Sequence, residues 1–93
     1  MAITLNQCKI INSTSAPVTL VLSQPKPAIT INPGAEYPYQ GAPVVIETIQ
    51  MNGVTYYSPQ SCSFTDTAIA INDTSLGFYL TATAVSVVPL VQE

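Results

Sequence analysis

The sequence predicts an all-β fold: an antiparallel β-sandwich of about eight strands in one domain, residues 1–93. Large apolar residues recur with a period of two in residues 18–22 and 67–71, as expected for strands with one buried face. Eight prolines interrupt the chain, and no long segment has the period of a helix. Turn signals about every eight to twelve residues favour a sandwich or a small barrel.

The predicted strands cover residues 3–11, 17–23, 28–32, 35–40, 44–51, 54–58, 67–72 and 78–88. In the first predicted strand, Ile3 and Leu5 have odd residue numbers, whereas Cys8 and Ile10 have even ones. Because successive residues of a strand point to opposite faces, we expect a bulge near residues 6–7 if all four are to face the core. The last predicted strand has about eleven residues, against a usual five or six. We therefore expect it to extend past its own domain or to bend across two sheets.

Two turns have specific sequence signals. Asn52-Gly53 separates two β-rich segments and is the preferred pair for a type I′ hairpin. Pro33-Gly34, after Asn32, fits a type II turn, because proline fixes φ near −65° and glycine accepts a positive φ. The chain is therefore expected to reverse at both places.

Residues 11–20, followed by Ile31-Asn32-Pro33-Gly34, resemble the opening of many immunoglobulin-like sandwiches. The resemblance covers a small part of the chain. It implies an immunoglobulin-like arrangement of the strands, and a jelly roll is the other sandwich considered for about eight strands.

Charged residues make up only 8 % of the chain, against roughly 25 % in an average soluble domain. Lys9 and Lys26 are the only basic residues, and the net charge is −3. Binding of nucleic acid through its phosphates is therefore not expected. Membrane insertion is not expected either, because every apolar segment is far shorter than about 20 residues. No signal peptide is evident, and the sequence leaves the localisation open, with a virion or an extracellular assembly as possibilities.

The residues that could carry out catalysis are few. The sequence contains no histidine, so a Ser-His-Asp or Cys-His nucleophile system cannot be built from this chain. Asp66 and Asp73 bracket a predicted strand and would lie about 23 Å apart, too far for a glycosidase pair. Residues 72–74 are expected to form an Asx turn rather than to hold calcium. The sequence thus predicts a protein that is not an enzyme and has no cofactor or metal.

The two cysteines, Cys8 and Cys62, leave two alternatives open. A disulfide between them would stabilise the fold by about 4 kcal/mol in the chain-entropy model, if their geometry allows it. Otherwise they are buried thiols that pack as small apolar side chains. Asn12 and Asn72 each begin a glycosylation acceptor pattern, which we attribute to chance in a chain rich in Asn, Ser and Thr.

Low charge together with abundant apolar residues suggests burial against other chains. We therefore expect a structural, self-associating subunit of a fibre or of a viral or phage particle, whose partners are copies of itself or other structural proteins. The expected interface is an exposed final strand, with the residues Phe78, Leu80, Val85, Val87, Val88, Leu90 and Val91.

The alternative function is a small monomeric binding module, similar to a lectin. Aromatic side chains can stack on a sugar or on a partner's apolar surface. The candidate residues for this platform are Tyr37, Tyr39, Tyr56, Tyr57 and Phe64. Packing against neighbouring strands is the other explanation for the same residues.

Overall fold

The computed structural model describes residues 3–23, 28–59, 61–65, 68–75, 77–82 and 87–93. Twelve strands lie within these ranges. The first six are β1 (Ile3–Asn6), β2 (Lys9–Asn12), β3 (Val18–Leu22), β4 (Ile29–Ile31), β5 (Glu36–Pro38) and β6 (Val44–Met51). The other six are β7 (Val54–Tyr57), β8 (Cys62–Thr65), β9 (Ala68–Thr74), β10 (Gly77–Ala82), β11 (Val87–Pro89) and β12 (Val91–Gln92).

These strands form two sheets, which confirms the all-β sandwich class. Sheet A has the order β12-β7-β6-β1-β8, with β3 added to β6 and β4 to β3. Sheet B has the order β11-β10-β9-β2-β5. The sheets are mixed rather than purely antiparallel, because β1 pairs with β8 and β2 with β9 in parallel. The core between the sheets is apolar and includes Leu5, Ile10, Leu20, Ile49, Ile69, Ile71 and Leu80.

The first predicted strand is divided between the two sheets. Gln7 has a φ of 60°, and the chain passes there from β1 in sheet A to β2 in sheet B. Ile3 and Leu5 point into the core from one sheet and Ile10 from the other. The change of parity that suggested a bulge therefore marks a change of sheet, since the inner faces of the two sheets look in opposite directions.

The strands β8 and β9 run parallel to β1 and β2, so a second segment of the chain accompanies the first one from sheet A into sheet B. Ile3 pairs with Cys62 and Asn6 with Thr65 in sheet A, and Lys9 pairs with Ala68 and Asn12 with Ile71 in sheet B. The difference in residue number is 59 in each of these pairs (62 − 3, 65 − 6, 68 − 9, 71 − 12). The two segments thus keep one register on both sides of the crossing. β8, the strand in sheet A, was not predicted from the sequence.

The last predicted strand, residues 78–88, is wrong as a single element. β10 and β11 pair antiparallel, with Thr81 opposite Val87 and Tyr79 opposite Pro89. The residues that connect them, 83–86, lie outside the described ranges. The chain changes sheet only after β11, where β12 pairs with β7 in sheet A. The length of this apolar segment is explained by a hairpin whose two strands both contribute to the core.

Both predicted turns are confirmed. Asn52 and Gly53 have φ values of 54° and 77°, the two positive values that a type I′ turn requires. The amide of Ala35 donates to the carbonyl of Asn32 at 3.0 Å, and Gly34 has a φ of 75°, as in a type II turn. The hairpin between β6 and β7 and the bend before β5 follow from these residues.

Asn12 is a fully buried polar residue at the end of β2. Its Nδ2 donates to the carbonyls of Ala16 and Ile31, both at 2.9 Å. Its Oδ1 accepts from the amide of Thr14 at 2.9 Å and from the hydroxyl of Thr14 at 2.6 Å. The side chain joins three segments of the chain and is enclosed, so it is inaccessible as a glycosylation acceptor.

The core is closed within one chain. The accessible surface is 5107 Å², close to the roughly 5,200 Å² that the general scaling gives for a folded monomer of this mass. One cavity in the core has a volume of only about 10 Å³ and an apolar lining, so it has room for at most one water and no polar partner for it. This part of the interior therefore serves packing rather than ligand binding.

Candidate functional site

The predicted interface residues fall into three groups. Phe78, Leu80, Val88 and Leu90 are buried in the chain's own core, which corrects their assignment to a free surface. Val85 lies outside the described residues. Val87 and Val91 are 59 % and 41 % exposed. Among the members of the predicted interface that the structure describes, these two are the ones that a partner could reach.

Val87 and Val91, together with Pro89 between them, form the surface that we call the valine patch. Every second residue from 87 to 91 is exposed, whereas Val88 and Leu90 point into the core. This alternation follows from the period of two of an extended chain with one buried face. Pro89 is not among the interface residues predicted from the sequence, although the same alternation is readable there.

Backbone hydrogen bonds hold the valine patch across the side of the sandwich. The amide of Leu90 donates to the carbonyl of Phe78 in sheet B at 3.0 Å, and the amide of Glu93 donates to the carbonyl of Thr55 in sheet A at 2.9 Å. Val87 thus belongs to sheet B and Val91 to sheet A. The patch spans the junction of the two sheets and is fixed to both.

The residues paired with the valine patch are uncharged, and the nearest charge along its own segment is exposed Glu93, two residues after Val91. Val87 lies opposite Thr81, Pro89 opposite Tyr79 and Val91 opposite Tyr57. The row that starts at Val87 continues across the outer face of sheet B through Thr81, Ala70 and Ile11 and ends at Glu36. Another uncharged surface can therefore approach the part of this face next to the valine patch with little electrostatic repulsion.

The first charges on this face are at its far edge. Lys9 on β2 and Glu36 on β5 form an ion pair at 3.3 Å, and both side chains are about half exposed. An exposed pair of this kind contributes between zero and about 1 kcal/mol to stability. Its main effect is to separate the face into a charged edge and an uncharged side next to the valine patch.

The aromatic residues of the alternative function are distributed over both sheets. Tyr37 lies on β5 in sheet B, whereas Tyr56 and Tyr57 lie on β7 in sheet A. The ring of Tyr56 packs on Phe78 with a centroid distance of 4.2 Å, so it belongs to the interior. The hydroxyl of Tyr39, just after β5, donates to the carbonyl of Ala42 in its own loop.

Phe64, the fifth member of that set, packs against the core from β8 and is half-buried. The five aromatic side chains are thus not brought together on one face. Tyr37 is exposed and Tyr57 is half-buried, and they belong to different sheets. The geometry of a single aromatic platform is therefore not present at these positions.

The two cysteines are free thiols, so the disulfide considered from the sequence is not formed. The Sγ of buried Cys8 donates to the carbonyl of Phe64 at 3.1 Å. Cys62 lies on β8 opposite Ile3, and its partial burial raises the pKa of its thiol. Both cysteines pack as small, largely apolar side chains, as in the other alternative.

Residues 72–74 lie in β9 rather than in the expected Asx turn. Asn72 pairs with Tyr79, and Asp73 pairs with Phe78. The Nδ2 of Asn72 donates to the hydroxyl of Thr81 at 3.0 Å. The strand is longer than predicted because β10 offers it a full antiparallel partner. Asp66 lies outside the described residues.

Among the residues that the structure describes, no three His, Cys, Asp or Glu side chains are grouped so that they could hold a metal ion. The same residues include no helix long and apolar enough to cross a membrane. Comparison with protein-family models, curated proteins and solved structures finds no match to this chain.

Proposed function

We propose that this chain is a structural, self-associating β-sandwich subunit of a fibre or of a viral or phage particle, in which it decorates the capsid or forms part of the tail. Its partners are other copies of itself or other structural proteins. The observation that supports this proposal is the valine patch, which is apolar, fixed to both sheets and paired with uncharged residues of the neighbouring strands.

Burial of the patch supplies a driving force for association. Full burial of a valine contributes roughly 1.5 kcal/mol or more, so covering the exposed parts of Val87 and Val91 contributes about 1 kcal/mol each. Pro89 adds apolar surface without an amide that would lose its hydrogen bond to water. The net charge of −3 on 93 residues gives little repulsion between copies.

The complete core determines how assembly proceeds. Because the accessible surface is that of an ordinary folded monomer, each subunit folds before it meets a partner. Association is then the docking of preformed surfaces. This separates folding from assembly, and a surface substitution can weaken assembly without unfolding the subunit.

The test is a light-scattering measurement of mass at increasing concentration, on the natural chain and on Val87→Asp. The matched control is Gln50→Glu, which also adds one negative charge at an exposed position, on β6 away from the patch. We expect the natural chain and the control to form species larger than 9.9 kDa. Val87→Asp should require about tenfold higher concentration to do so.

Electron microscopy of the large species distinguishes a fibre from a closed particle component. A natural chain that stays at the monomer mass at millimolar concentration contradicts the proposal. Equal association of Val87→Asp and the control shows that another surface carries the assembly. Circular dichroism of each variant verifies that the subunit is folded.

A further inference from the structure

The outer edges of the two sheets differ in how they are protected against pairing with another strand. Free strand edges carry unpaired amides and carbonyls, and natural proteins block them with prolines, charges or very short strands. Among the described strands, the ends of the sheet orders are β11 and β5 in sheet B and β12 and β8 in sheet A. β4 ends the branch of sheet A that leaves through β3.

Sheet B is blocked at both ends. The amide of Leu90 donates to Phe78, and adjacent positions of an antiparallel pair alternate between bonding inward and facing outward. Pro89 therefore faces the free edge of β11, where it has no hydrogen to donate. At the other end, β5 is three residues long and contains Glu36 and Pro38. Neither edge favours the addition of a strand.

Two further ends, both in sheet A, are also protected. β12 has only two residues and is followed by Glu93. In β4, the carbonyl of Ile31 already accepts a hydrogen bond from the side chain of Asn12 at 2.9 Å, and Thr30 shares a contact of 3.2 Å with the Thr19 hydroxyl. These contacts fix β4 as the outer strand of a hairpin with β3.

β8 is less protected than these edges, although the carbonyl of Phe64 accepts a hydrogen bond from the Sγ of Cys8 at 3.1 Å. Its four residues, Cys62–Thr65, include neither a proline nor a charge, and within the described ranges it pairs with β1 alone. Ser63 and Thr65 are exposed, whereas Cys62 and Phe64 are half-buried and pack against the core. Part of the apolar surface of this strand therefore remains accessible at an open backbone edge.

We propose that β8 pairs antiparallel with β8 of a second copy, so that sheet A continues from one subunit into the next. The proposal rests on the proposed function in that both require association of copies, but it assigns a separate contact. An antiparallel pair of identical edges is self-complementary about a two-fold axis. The copies bring no like charges together, and Ser and Thr form favourable cross-strand pairs. The exposed parts of Cys62 and Phe64 are covered by the same residues of the partner.

The position of β8 adds a consequence for assembly. β8 and β12 lie at opposite ends of the principal strand order of sheet A, and Val91 of the valine patch lies on β12. A single two-fold contact closes at a dimer, whereas two separate contacts on one subunit allow an open chain of subunits. The β8 contact and the valine patch together give the two contacts that a fibre requires.

The test compares two double variants by sedimentation equilibrium at high concentration, because a contact between short edges is weak. Ser63→Lys with Thr65→Lys places two charges on the β8 edge. Thr48→Lys with Gln50→Lys places the same charges, at the same spacing, on the outer face of β6, which has strands on both sides. We expect at least a tenfold loss of the association constant in the first variant and no loss in the second.

The outcomes separate this proposal from the proposed function. If the β8 variant associates like its control while Val87→Asp weakens assembly, the β8 pairing is overturned and the proposed function stands. If the β8 variant is weakened and Val87→Asp is not, β8 pairing stands and the valine patch is not the interface. A natural chain that remains monomeric overturns both.

Hydrogen exchange on the natural chain gives a readout that does not depend on any variant folding. The amides of residues 62–65 should exchange at least tenfold more slowly at the concentration where the dimer forms than in dilute solution. Exchange at Thr30 in β4 should not change. Equal exchange of the β8 amides at both concentrations, in a sample that contains dimer, overturns the pairing.

Discussion

The chain passes directly from a strand of one sheet to a strand of the other at Gln7 and again at Leu90, and the two crossings differ in their surroundings. The crossing at Gln7 has a parallel neighbour, residues 62–71, which keeps the same register in both sheets. The crossing at Leu90 lies at the side of the sandwich and leaves Val87 and Val91 exposed. The first crossing has strands of the chain on both of its sides, whereas the second leaves apolar side chains exposed.

This difference shows that a direct crossing between the two sheets can either stabilise the fold or expose a surface for a partner. Near Gln7, both sides of the crossing are occupied by the chain itself, and buried Asn12 fixes the strand that follows. At Leu90, one side anchors the chain in the core and the other faces solvent. Substitutions at the first crossing should therefore affect folding, and substitutions of the outward residues at the second should affect assembly.

Deletion of residues 87–93 is the most severe test of this difference between inward residues, which affect folding, and outward residues, which affect assembly. The deletion removes two core side chains, Val88 and Leu90, and the strand pairs of β11 and β12. Loss of buried aliphatic side chains of this size costs about 2 kcal/mol or more each, so we expect loss of cooperative thermal unfolding. A truncated chain that melts like the natural one would show that the inward residues are not part of the core.

Asn12→Ala tests the crossing at Gln7 through β2, the strand that follows it. The substitution removes the side-chain partner of the Ile31 carbonyl and of the Thr14 amide, and it leaves the Thr14 hydroxyl and the Ala16 carbonyl only their bond to each other, so we expect a loss of about 3 kcal/mol in the free energy of unfolding. Asn72→Ala is the control, because Asn72 is only half-buried; it should lose about 1 kcal/mol. Urea unfolding of both variants measures the difference, and equal losses would contradict the role of Asn12.

Gly53→Val tests the hairpin that carries β12. β7 pairs with β6 through the Asn52-Gly53 turn and with β12 on its other side. A Cβ at Gly53 meets no atom within 4 Å, and the φ of +77° is the obstacle. We expect a loss of about 1 kcal/mol or more from backbone strain alone. A melting temperature that does not change would contradict the positive φ at this position.

Much of the fold was predictable because it depends on local signals. The alternation in residues 18–22 and the turn residues at 33–34 and 52–53 specify strands and reversals without any distant contact. The change of sheet at Gln7 was visible only as a change of parity, which a bulge explains equally well. β8 was missed, because its alternation covers only the four residues Cys62–Thr65 and the segment becomes a strand by pairing with β1.

The candidate site was predicted only in part, for a related reason. An apolar residue near the end of a strand has the same sequence signature whether it faces the core or a partner. Phe78 and Leu80 belong to the core because they lie on the face of β10 that packs against sheet A, a fact of tertiary structure. The outward position of Val87 follows once the parity of the buried Val88 is known.

Light scattering on Val87→Asp and Gln50→Glu at matched concentrations tests the central claim most directly. Both variants add one negative charge at an exposed position, and both should keep the circular dichroism spectrum of the natural chain. We predict that Gln50→Glu assembles like the natural chain and that Val87→Asp needs about tenfold higher concentration. Identical masses for the two variants at every concentration would contradict the assignment of the valine patch as the assembly surface.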